Sequence, residues 1–442
     1  MKRLYDRGVH GSTRSWWREE APPDEELPAL EGTGDADVAV IGGGFTGLWT
    51  ALELLHRRPS ARVVVLEAGR CGDGASGRNG GFLHGFWAAL PRLVDMFGVD
   101  AAVSLAREAT GVYDAVRALG EDVWLNESGM LTVSLGPAQD AVLEHEVTAA
   151  IRAGAPEEAV YVSREALGID SPIMRGAVRC RDCATVQPGR LVRALRRAVL
   201  AAGATVHERT PVLSIDEGGI ACERGLLRAE EIVLATNASA ARWPATRSVA
   251  VFRSAIVLTE PVPSLHERIG WEHEEAIADA RTYLNYFRLT NDDRVLMGSA
   301  SGEFQRAEAA LRAYFPQLAD VRVAARWEGA IDVSSDRLPV VGTVPGTRVH
   351  YGLGYTGNGV GPSWLVGRLL ASLALGDQVD SPLLTRRVPS LPPEPLRSVG
   401  AQVVRRALLA VDDAQSAGKR PSQLATGVAR LPELLGLRIA SR

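Results

Sequence analysis

The chain has 442 residues, of which 46% are hydrophobic and 23% are charged, a composition typical of a globular protein of two or three domains. A net charge of -4 without a long basic block argues against nucleic acid as a primary partner. The lysines are Lys2 and Lys419, both near a chain end, which excludes a pyridoxal-phosphate Schiff base and a phosphate-binding P-loop because each needs an internal lysine.

The N-terminal residues and the number and spacing of the cysteines indicate the cellular compartment. Residues 1–6 carry positive charge without the apolar run of a secretory signal, and no segment reaches the roughly 18 apolar residues of a membrane span. The four cysteines, Cys71, Cys180, Cys183 and Cys222, are too few and too irregular for a secreted disulfide framework. We expect a cytoplasmic, unprocessed protein with no membrane span.

Cys180 and Cys183 form a Cys-x-x-Cys pair, which suits a redox dithiol or half of a zinc site. The sequence has neither a second pair nor a following pair of histidines at zinc-finger spacing. We therefore expect no metal.

The first predicted elements form a βαβ unit. Residues 15–34, with two tryptophans, three prolines and an acidic cluster, predict an extended arm on the surface of the domain after it. Residues 37–41 are a short apolar strand, apolar residues recur at helical spacing over 48–58, and residues 62–66 are a second buried strand. This order predicts two parallel strands joined by a helix.

A glycine turn joins the first strand to the helix. In Gly42-x-Gly44-x-x-Gly47, the first glycine allows a tight turn, the second allows close approach of a pyrophosphate, and the third lets the helix pack on the strand. Glu67 ends the next strand 20 residues after Gly47, where an acidic side chain accepts hydrogen bonds from an adenosine ribose. The motif predicts a dinucleotide whose pyrophosphate lies at the helix N-terminus.

The fingerprint alone does not separate NAD from FAD. Residues 72–81, rich in glycine, follow the second strand and suit a ligand that continues past the pyrophosphate to a flat ring. A second match, Gly352-x-Gly354-x-x-Gly357, has no acidic residue on a following strand. We interpret it as a turn that serves the same ligand from the other side; a separate NADPH site is the alternative.

At these residues the sequence resembles the FAD-dependent oxidoreductases of the glycine and D-amino-acid oxidase family. The residues at 15–17 and 78–81 resemble most the branch of gamma-glutamylputrescine oxidases and aminophosphonate oxidoreductases. The match runs from about 35 to 375 through these motifs: 42–47, 66–68 (Leu-Glu-Ala), 74–81 (Gly-Ala-Ser-Gly-Arg-Asn-Gly-Gly), 235–238 (Ala-Thr-Asn-Ala), 336–342 (Asp-Arg-Leu-Pro-Val-Val-Gly) and 354–360 (Gly-Tyr-Thr-Gly-Asn-Gly-Val).

The resemblance implies an FAD that is bound without a covalent link. Family members with covalent flavin use a cysteine near 331–337 or a histidine in the loop after the ribose acid, and this sequence has neither there. The backbone of Val212 would contact the adenine, and residues 357–360 would face the flavin pyrimidine, although relatives often carry histidine where Asn358 stands. The implied cofactor residues are Gly42, Gly44, Phe45, Thr46, Gly47, Glu67, Ala68, Arg70, Ala75, Ser76, Arg78, Asn79, Gly80, Gly81, Val212, Thr236, Asn237, Gly357, Asn358, Gly359 and Val360.

The expected fold class is α/β and α+β. A discontinuous Rossmann-like FAD-binding domain is joined to an antiparallel-sheet substrate domain, inserted twice, and to a helical C-terminal tail. The expected boundaries are 1–34 for the arm; 35–105, 175–245 and 335–390 for the FAD-binding domain; 106–174 and 246–334 for the substrate domain; and 391–442 for the tail.

The expected reaction is oxidation of a small primary or secondary amine to an imine by hydride transfer to flavin N5, followed by hydrolysis. The nitrogen must be neutral, and deprotonating an alkylammonium of pKa about 10 at pH 7 costs about 4 kcal/mol. An aromatic pocket lowers that cost because it disfavours the cation, so no dedicated base is needed. The candidate walls, which could equally be ordinary core, are Phe82, His84, Phe86, Trp87, Tyr283, Tyr286 and Phe287.

The candidate catalytic residues are His84, Tyr286, Arg288 and Arg337. An arginine fork at Arg288 or Arg337 would grip a substrate carboxylate or phosphonate, although most arginines lie at the surface. Glu303 and Glu328 would instead attract a polyamine. His84 is either an acid or base or a buried, satisfied histidine.

The expected partners are a small-molecule amine and oxygen or another electron acceptor. Two alternatives stay open: a hydroxy-acid dehydrogenase of the same family, which would need a clear base near the flavin, and a flavoprotein that serves a partner through its tail.

Overall fold

The computed structural model describes residues 14–242, 248–434 and residue 437. The first part of the predicted arm, 1–13, the predicted domain segment 243–247 and tail residues 435–436 and 438–442 lie outside the described residues. The fold class is confirmed: a mixed α/β protein with a helical C-terminal region.

The strands in chain order are β1 (Gly32–Ile41), β2 (Val63–Leu66), β3 (Phe82–Leu83), β4 (Met130–Ser134), β5 (Val160–Ser163), β6 (Gly176–Cys180), β7 (Ala184–Thr185), β8 (Thr205–His207), β9 (Val212–Asp216), β10 (Gly219–Cys222), β11 (Gly225–Leu234), β12 (Val249–Thr259), β13 (Ala276–Asp279), β14 (Asn285–Leu289), β15 (Val295–Ser299), β16 (Val323–Ser334), β17 (Val340–Thr343) and β18 (Val349–Leu353).

The α-helices in chain order are α1 (Trp16–Glu20), α2 (Phe45–Arg57), α3 (Leu90–Phe97), α4 (Val99–Ala109), α5 (Gly111–Arg117), α6 (Pro137–Arg152), α7 (Pro188–Ala201), α8 (Leu265–Ile269), α9 (Phe304–Tyr314), α10 (Pro362–Leu375), α11 (Pro382–Thr385), α12 (Leu396–Ser416), α13 (Gln423–Ala429) and α14 (Leu431–Leu434).

The first sheet carries the predicted βαβ unit. Its order is β17, β18, β11, β1, β2, β8, with β10 paired to β11 and β9 paired to β10. Strand β1 is central and pairs parallel with both β2 and β11. Its end, Val38 to Ile41, is buried because α2 and α10 pack over the sheet. The carboxyl ends of β1, β2 and β11 therefore meet at one edge, where this class of sheet binds its ligand.

The second sheet has the order β16, β12, β15, β14, β13, β4, β6, β5. Its neighbours pair antiparallel except β13 and β4, which pair parallel from Ala276 opposite Met130 to Asp279 opposite Val133. Those two strands come from the two separate insertions, so their pairing joins both insertions into one sheet.

The predicted boundary at 175 is wrong by one strand. Strand β6 pairs with β4 and β5 and so belongs to the second sheet. After β4 the chain runs through α6 and β5 and adds β6 to the same sheet before it re-enters the first domain. Val112 and Val116 of α5, which the predicted boundary at 106 assigns to the first insertion, share a buried core cluster with residues of the first sheet.

The arm does not simply lie on the surface as expected. Trp17 is fully buried, and its ring packs edge-on against Trp327 of β16. Its indole Nε1 donates to the backbone oxygen of Asn79 over 2.8 Å, while Gln187 donates to the backbone oxygen of Trp17 over 2.6 Å. Trp17 therefore anchors the start of the arm in the core, while residues 22–29 stay partly or fully exposed. Across the described residues, no helix has the length and apolar character needed to cross a membrane.

Candidate active site

A cavity of about 450 Å³ lies between the two sheets, within the size range of cofactor and ligand pockets. The residues that follow β1, β2 and β11 line one end: Gly42, Glu67 and Ala235. Residues of the second sheet, among them Tyr286 on β14, line the other end. The cavity thus extends from the predicted dinucleotide turn to the predicted substrate domain.

The glycine turn at the end of β1 is sterically closed to larger residues. Gly42 has a φ of +113°, and a Cβ there would lie 2.5 Å from the backbone oxygen of Ala235. At Gly47 a Cβ would lie 1.9 Å from the backbone oxygen of Gly42, so this glycine serves helix packing and does not line the cavity. Gly44, the N-cap residue of α2, does line it.

Glu67 lines the cavity at the end of β2. Its two carboxylate oxygens accept hydrogen bonds from the N–H groups of Gly43, over 2.7 Å, and Gly69, over 2.8 Å. Burial raises the pKa of this carboxyl group, while these two N–H groups act in the opposite direction. Each oxygen keeps a second lone pair that can accept a hydroxyl hydrogen.

The glycine-rich loop after β2 is held by its own polar side chains. Ser76 Oγ accepts the N–H of Phe45 over 2.9 Å, which ties the loop to the first turn of α2. Asn79 donates to the backbone oxygens of Ala75 and Ser76 and accepts the N–H of Gly81 over 2.8 Å. The loop is therefore preorganised along the cavity wall.

A second turn faces the cavity after β18. Asp332 of β16, fully buried, accepts the N–H of Gly354 over 2.5 Å, and its backbone oxygen accepts the N–H of Thr356 over 2.8 Å. Gly357, with a φ of +85°, and the three residues after it line the cavity. Helix α10 begins at Pro362, so residues 357–360 lie in the turn that precedes it.

Sequence reasoning missed Asp332, although it lines this cavity. Burial raises the pKa of Asp332 to about 7, against the lowering effect of backbone N–H groups. The sequence feature that could have indicated Asp332 is that it is the one acidic residue in the otherwise apolar run at 330–333.

Aromatic side chains form part of the far wall. Phe82, Phe86, Tyr283 and Tyr286 line the cavity, and Phe82 meets Tyr286 edge-on with ring centroids 5.7 Å apart. The hydroxyl groups of Tyr286 and Ser254 are hydrogen-bonded over 2.9 Å.

Two of the predicted aromatic walls lie elsewhere. Phe287 points to the opposite face of β14, as strand alternation requires, and packs with Trp271 and Tyr314. Trp87 lies in the core of the first domain.

Residues 37–373 match the family model described as FAD dependent oxidoreductase (DAO). The chain belongs to this family. It is an FAD-dependent oxidoreductase, which confirms both the resemblance and the cofactor expected from the glycine motifs.

Three relatives show the extent of the similarity. The chain is 28% identical over 386 residues to a probable oxidoreductase OrdL of Haemophilus influenzae, covering 82% of this chain and 88% of the relative. It is 29% identical over 388 residues to gamma-glutamylputrescine oxidoreductase of Escherichia coli, covering 83% and 89%. The crystal structure of glycine oxidase from Geobacillus kaustophilus superposes with a TM-score of 0.68 at 24% identity, covering 80% of this chain and 100% of that one, which shows the fold.

One feature of the cavity, independent of the family match, indicates that a ligand binds in it. Asn237 lines the cavity with a φ of +46°, and its buried Oδ1 has no hydrogen-bond partner among the described residues. A buried acceptor without a donor costs about 1–3 kcal/mol, which a ligand hydroxyl or N–H would recover. Most of the predicted cofactor residues line the same cavity: Gly42, Gly44, Phe45, Thr46, Glu67, Ala68, Ala75, Ser76, Arg78, Asn79, Gly80, Val212, Thr236, Asn237, Gly357, Asn358, Gly359 and Val360.

Three predicted cofactor residues, Gly47 among them, lie outside the cavity. Arg70 forms an ion pair with Glu26 of the arm and points along the surface. Gly81, with a φ of +78°, is a packing position, since a Cβ there would lie 2.2 Å from the backbone oxygen of Val186. Arg78, by contrast, lines the cavity while its guanidinium donates to the backbone oxygens of Asp73, over 2.8 Å, and Glu328, over 3.2 Å.

Arg288 is not placed to hold a substrate. It does not line the cavity, and its guanidinium donates to the backbone oxygens of Val186, over 2.6 Å, and Leu289, over 2.8 Å. The guanidinium also lies 5.7 Å from the centre of the Trp17 ring. Arg288 shares a face of β14 with Tyr286, but it lies two residues further along the strand, beneath the arm. The buried guanidinium therefore links β14 to Val186, which lies outside the sheet.

Of the other residues predicted to contact the substrate, two line the cavity and two do not. Arg337, with a φ of +64°, and His84 both line the cavity, and His84 Nδ1 is hydrogen-bonded to the backbone oxygen of Gly85 over 3.0 Å. Glu303 and Glu328 do not line it. Glu328 pairs with Arg253 over 2.6 Å, and Glu303 pairs with Arg405 over 2.8 Å.

Several lining residues that sequence reasoning did not single out come from helices, four of them with side chains that bear on the substrate end. These four are Arg92 on α3, His145 and Glu146 on α6, and Leu408 on α12. None lies in a recognisable motif, since each is brought to the cavity only by helix packing.

The Cys180-x-x-Cys183 pair does not form a disulfide: both cysteines, like Cys71 and Cys222, are buried and free. Within the described ranges, no group of three or more His, Cys, Asp or Glu side chains is arranged to hold a metal ion. Burial raises the pKa of both thiols, so they behave as packing residues in the core.

Proposed function

We propose that this protein oxidises a small primary or secondary amine to an imine, which water then hydrolyses. The proposal rests chiefly on the aromatic far wall, in which Phe82, Tyr283 and Tyr286 extend the cofactor cavity. A poorly hydrated wall disfavours the ammonium form and so favours the neutral nitrogen that the reaction needs. The substrate class is an amino acid, an aminophosphonate or a polyamine-like compound.

FAD, when bound, accepts the hydride that leaves the carbon next to the nitrogen. In this proposal Glu67 holds the ribose, the N-terminus of α2 holds the pyrophosphate, and residues 357–360 face the flavin pyrimidine, all around one cavity. Burial raises the pKa of Tyr286 to about 12, which keeps its hydroxyl protonated at neutral pH. The Tyr286 hydroxyl can then orient the substrate without taking its proton.

Arg337 is the proposed anion-binding residue. It lines the cavity, and its positive charge acts on Tyr283, whose pKa burial raises to about 12 while Arg405 and Arg337 oppose that rise. A guanidinium beside an aromatic wall suits a substrate with a carboxylate or phosphonate near its amine, because the fork can form two parallel hydrogen bonds.

Different observations support a polyamine-like substrate. The gamma-glutamylputrescine oxidoreductase of Escherichia coli is named for a substrate of that chemistry, and it is 29% identical to this chain. Glu303 and Glu328, the acids first expected to attract a polyamine, lie outside the cavity, whereas Glu146 lines it. Glu146 is therefore the acid proposed to meet a distal cationic group.

A hydroxy acid is the second candidate because His84 lines the cavity with its Nδ1 bonded to the Gly85 carbonyl. If that nitrogen carries the proton, the other ring nitrogen is a base, which an alcohol needs and an amine does not. Replacing His84 with glutamine should then abolish alcohol oxidation but leave amine oxidation within a few-fold.

The test is an anaerobic screen of the purified holoprotein with glycine, sarcosine, proline, 2-aminoethylphosphonate, putrescine and gamma-glutamylputrescine, with lactate and glycolate as hydroxy acids. Loss of the oxidised-flavin absorption with at least one amine, and with neither hydroxy acid, supports the proposal. Loss with a hydroxy acid alone contradicts it. If no compound reduces the flavin and the tail forms a stable complex with another protein, the interaction role is favoured. Admitting oxygen afterwards shows whether oxygen or another acceptor takes the electrons.

A further inference from the structure

The C-terminal tail reaches the substrate end of the cavity. The family match ends at residue 373, so α12, α13 and α14 all lie beyond it. Helix α12 nevertheless contributes one side chain to the cavity lining, that of Leu408. Leu408 is 6% exposed and packs in a small apolar cluster with Ala407, Ala429 and Tyr283.

The turn after Leu408 is fixed to the cavity wall. Asp412, one helical turn further on and 4% exposed, accepts the backbone N–H groups of Tyr283, over 2.8 Å, and Thr282, over 3.2 Å. Thr282, Tyr283 and Leu284 line the cavity themselves. Residues four apart share a helix face, so the side chain that lines the cavity and the carboxylate that holds the wall point to the same side.

Two ion pairs also hold α12 against the rest of the protein. Arg306 of α9 donates to both carboxylate oxygens of Asp413, over 2.8 and 2.9 Å. Arg405 donates to Glu303 over 2.8 Å and to the backbone oxygen of Ser301. These contacts bring α12 against the β15–α9 connection, and the neighbouring Ala300 also lines the cavity.

We propose that α12 is the outer wall of the substrate end of the cavity and that Leu408 limits the length of the substrate group that fits there. Asp412 is a positioning residue that holds the Thr282–Tyr283 segment against Leu408. This inference deepens the proposed function and rests on it, because it assigns this end of the cavity to the amine.

The experiment measures how Leu408 variants respond to substrate length. The holoproteins of wild type, Leu408→Ala, Leu408→Trp and the matched control Leu409→Ala are mixed anaerobically with primary n-alkylamines from propylamine to octylamine and with the ω-amino acids of the same lengths. Leu409 is 7% exposed on the same helix but does not line the cavity. FAD content serves as the check on folding, and Leu408→Cys replaces any variant that lacks FAD.

The expected result is a change of length preference at position 408 alone. For the longer compounds relative to the shortest, Leu408→Ala should raise the rate of flavin reduction per substrate concentration by about tenfold or more. Leu408→Trp should lower this ratio by a similar factor. One or two methylene groups in an apolar pocket change the rate on this scale. Leu409→Ala should keep the wild-type profile. If wild type reduces with these amines and every Leu408 variant keeps the wild-type profile, the inference is wrong and the proposed function stands.

A second readout decides the inference even if no amine reduces the flavin. The four native cysteines are buried and do not line the cavity, whereas position 408 does, so methyl methanethiosulfonate that enters the cavity should modify Leu408→Cys selectively over wild type. Modification at 408 should shift the flavin absorption spectrum, whereas Leu409→Cys, which does not line the cavity, should keep the wild-type spectrum after the same treatment. An unchanged spectrum at 408, or no modification there, would overturn the inference, and a shift there without amine activity would overturn the proposed function alone.

Discussion

The hydroxyl groups of Thr46 and Tyr355 lie 2.6 Å apart, and both side chains are buried. Thr46 belongs to the first turn of α2, at the predicted pyrophosphate site, and Tyr355 belongs to the turn that precedes the predicted flavin site. One hydrogen bond therefore connects two wall segments that are 309 residues apart in the chain. It fixes the distance between the segments predicted to hold the pyrophosphate and the flavin.

Tyr355→Phe removes this connection and should weaken FAD binding. Leaving Thr46 without its partner costs about 1–2 kcal/mol, which corresponds to about a 5- to 30-fold rise in the FAD dissociation constant. Fluorescence titration of FAD into the FAD-free protein measures this. Tyr351→Phe, which alters a half-buried tyrosine of β18 that does not line the cavity, should bind FAD like wild type. Equal weakening by both variants would show that the effect is not local.

Gly44→Val should abolish FAD binding, while replacing Cys180 and Cys183 together with alanine should leave it intact. A Cβ at position 44 would lie 2.8 Å from Ser76 Oγ and would project where the backbone must approach the pyrophosphate. Flavin absorption per polypeptide after purification measures both outcomes. Loss of flavin in the double alanine variant would assign the cysteine pair a role at the site.

The FAD should be released intact by acid or heat. The resemblance implies that a covalent link would need a cysteine near 331–337 or a histidine in the loop after Glu67, and the sequence has neither there. Precipitating the protein with acid and assaying the supernatant for FAD measures release. Flavin that stays with the denatured chain would contradict the non-covalent expectation.

Arg337→Ala and Arg288→Ala should have different effects. Arg337 lines the cavity, so its removal should lower flavin reduction per substrate concentration by about 30-fold for the best carboxylate-bearing or phosphonate-bearing amine, and much less for an amine without an anion. Lysine at 337 should restore the rate only in part, because it lacks the fork.

Arg288→Ala should instead lower the melting temperature. Its guanidinium holds two buried backbone oxygens and packs beneath Trp17, so its loss leaves both acceptors unpaired. Thermal unfolding and the reduction kinetics, measured on both variants, separate the two roles. If Arg288→Ala selectively lowered the rate of flavin reduction by anion-bearing amines, Arg288 would have to be reassigned to substrate binding.

Asp332 should make the stability of the FAD-free protein fall as the pH rises. Burial raises the pKa of this carboxyl group to about 7 in the folded protein, whereas an exposed aspartate titrates near 3.9. Between these values the folded state binds more protons than the unfolded state, so the free energy of unfolding decreases from about pH 4 to about pH 7. Asp332→Asn should remove this part of the pH dependence. Parallel stability profiles for variant and wild type across that range would contradict the assignment.

Sequence reasoning predicted a dinucleotide site from residues that line one end of the cavity, because the determinants of that prediction are local. The glycine turn at 42–47 and Glu67 each depend on strand, turn and helix signals within 30 residues, and these elements formed as expected. The pairing of β1 with β2 follows from the same unit, whereas its pairing with β11 does not.

The substrate end was harder to predict because distant segments build it. Tyr286 and Arg288 share one face of β14, so strand alternation could not tell that only Tyr286 reaches the cavity. What separates them is Val186, whose carbonyl group binds Arg288 from 102 residues away. Glu146 and Leu408 reach the cavity only through the packing of α6 and α12, and nothing in their local sequence indicates it.

The stoichiometry of a single anaerobic turnover with the best amine tests the proposed amine oxidation without reference to any variant. We predict that each FAD reduced yields one carbonyl product and one released amine or ammonia, at a rate that increases with pH as the free amine increases. Reduction without a carbonyl product, or no reduction by any amine while a hydroxy acid reduces the flavin fully, would contradict amine oxidation.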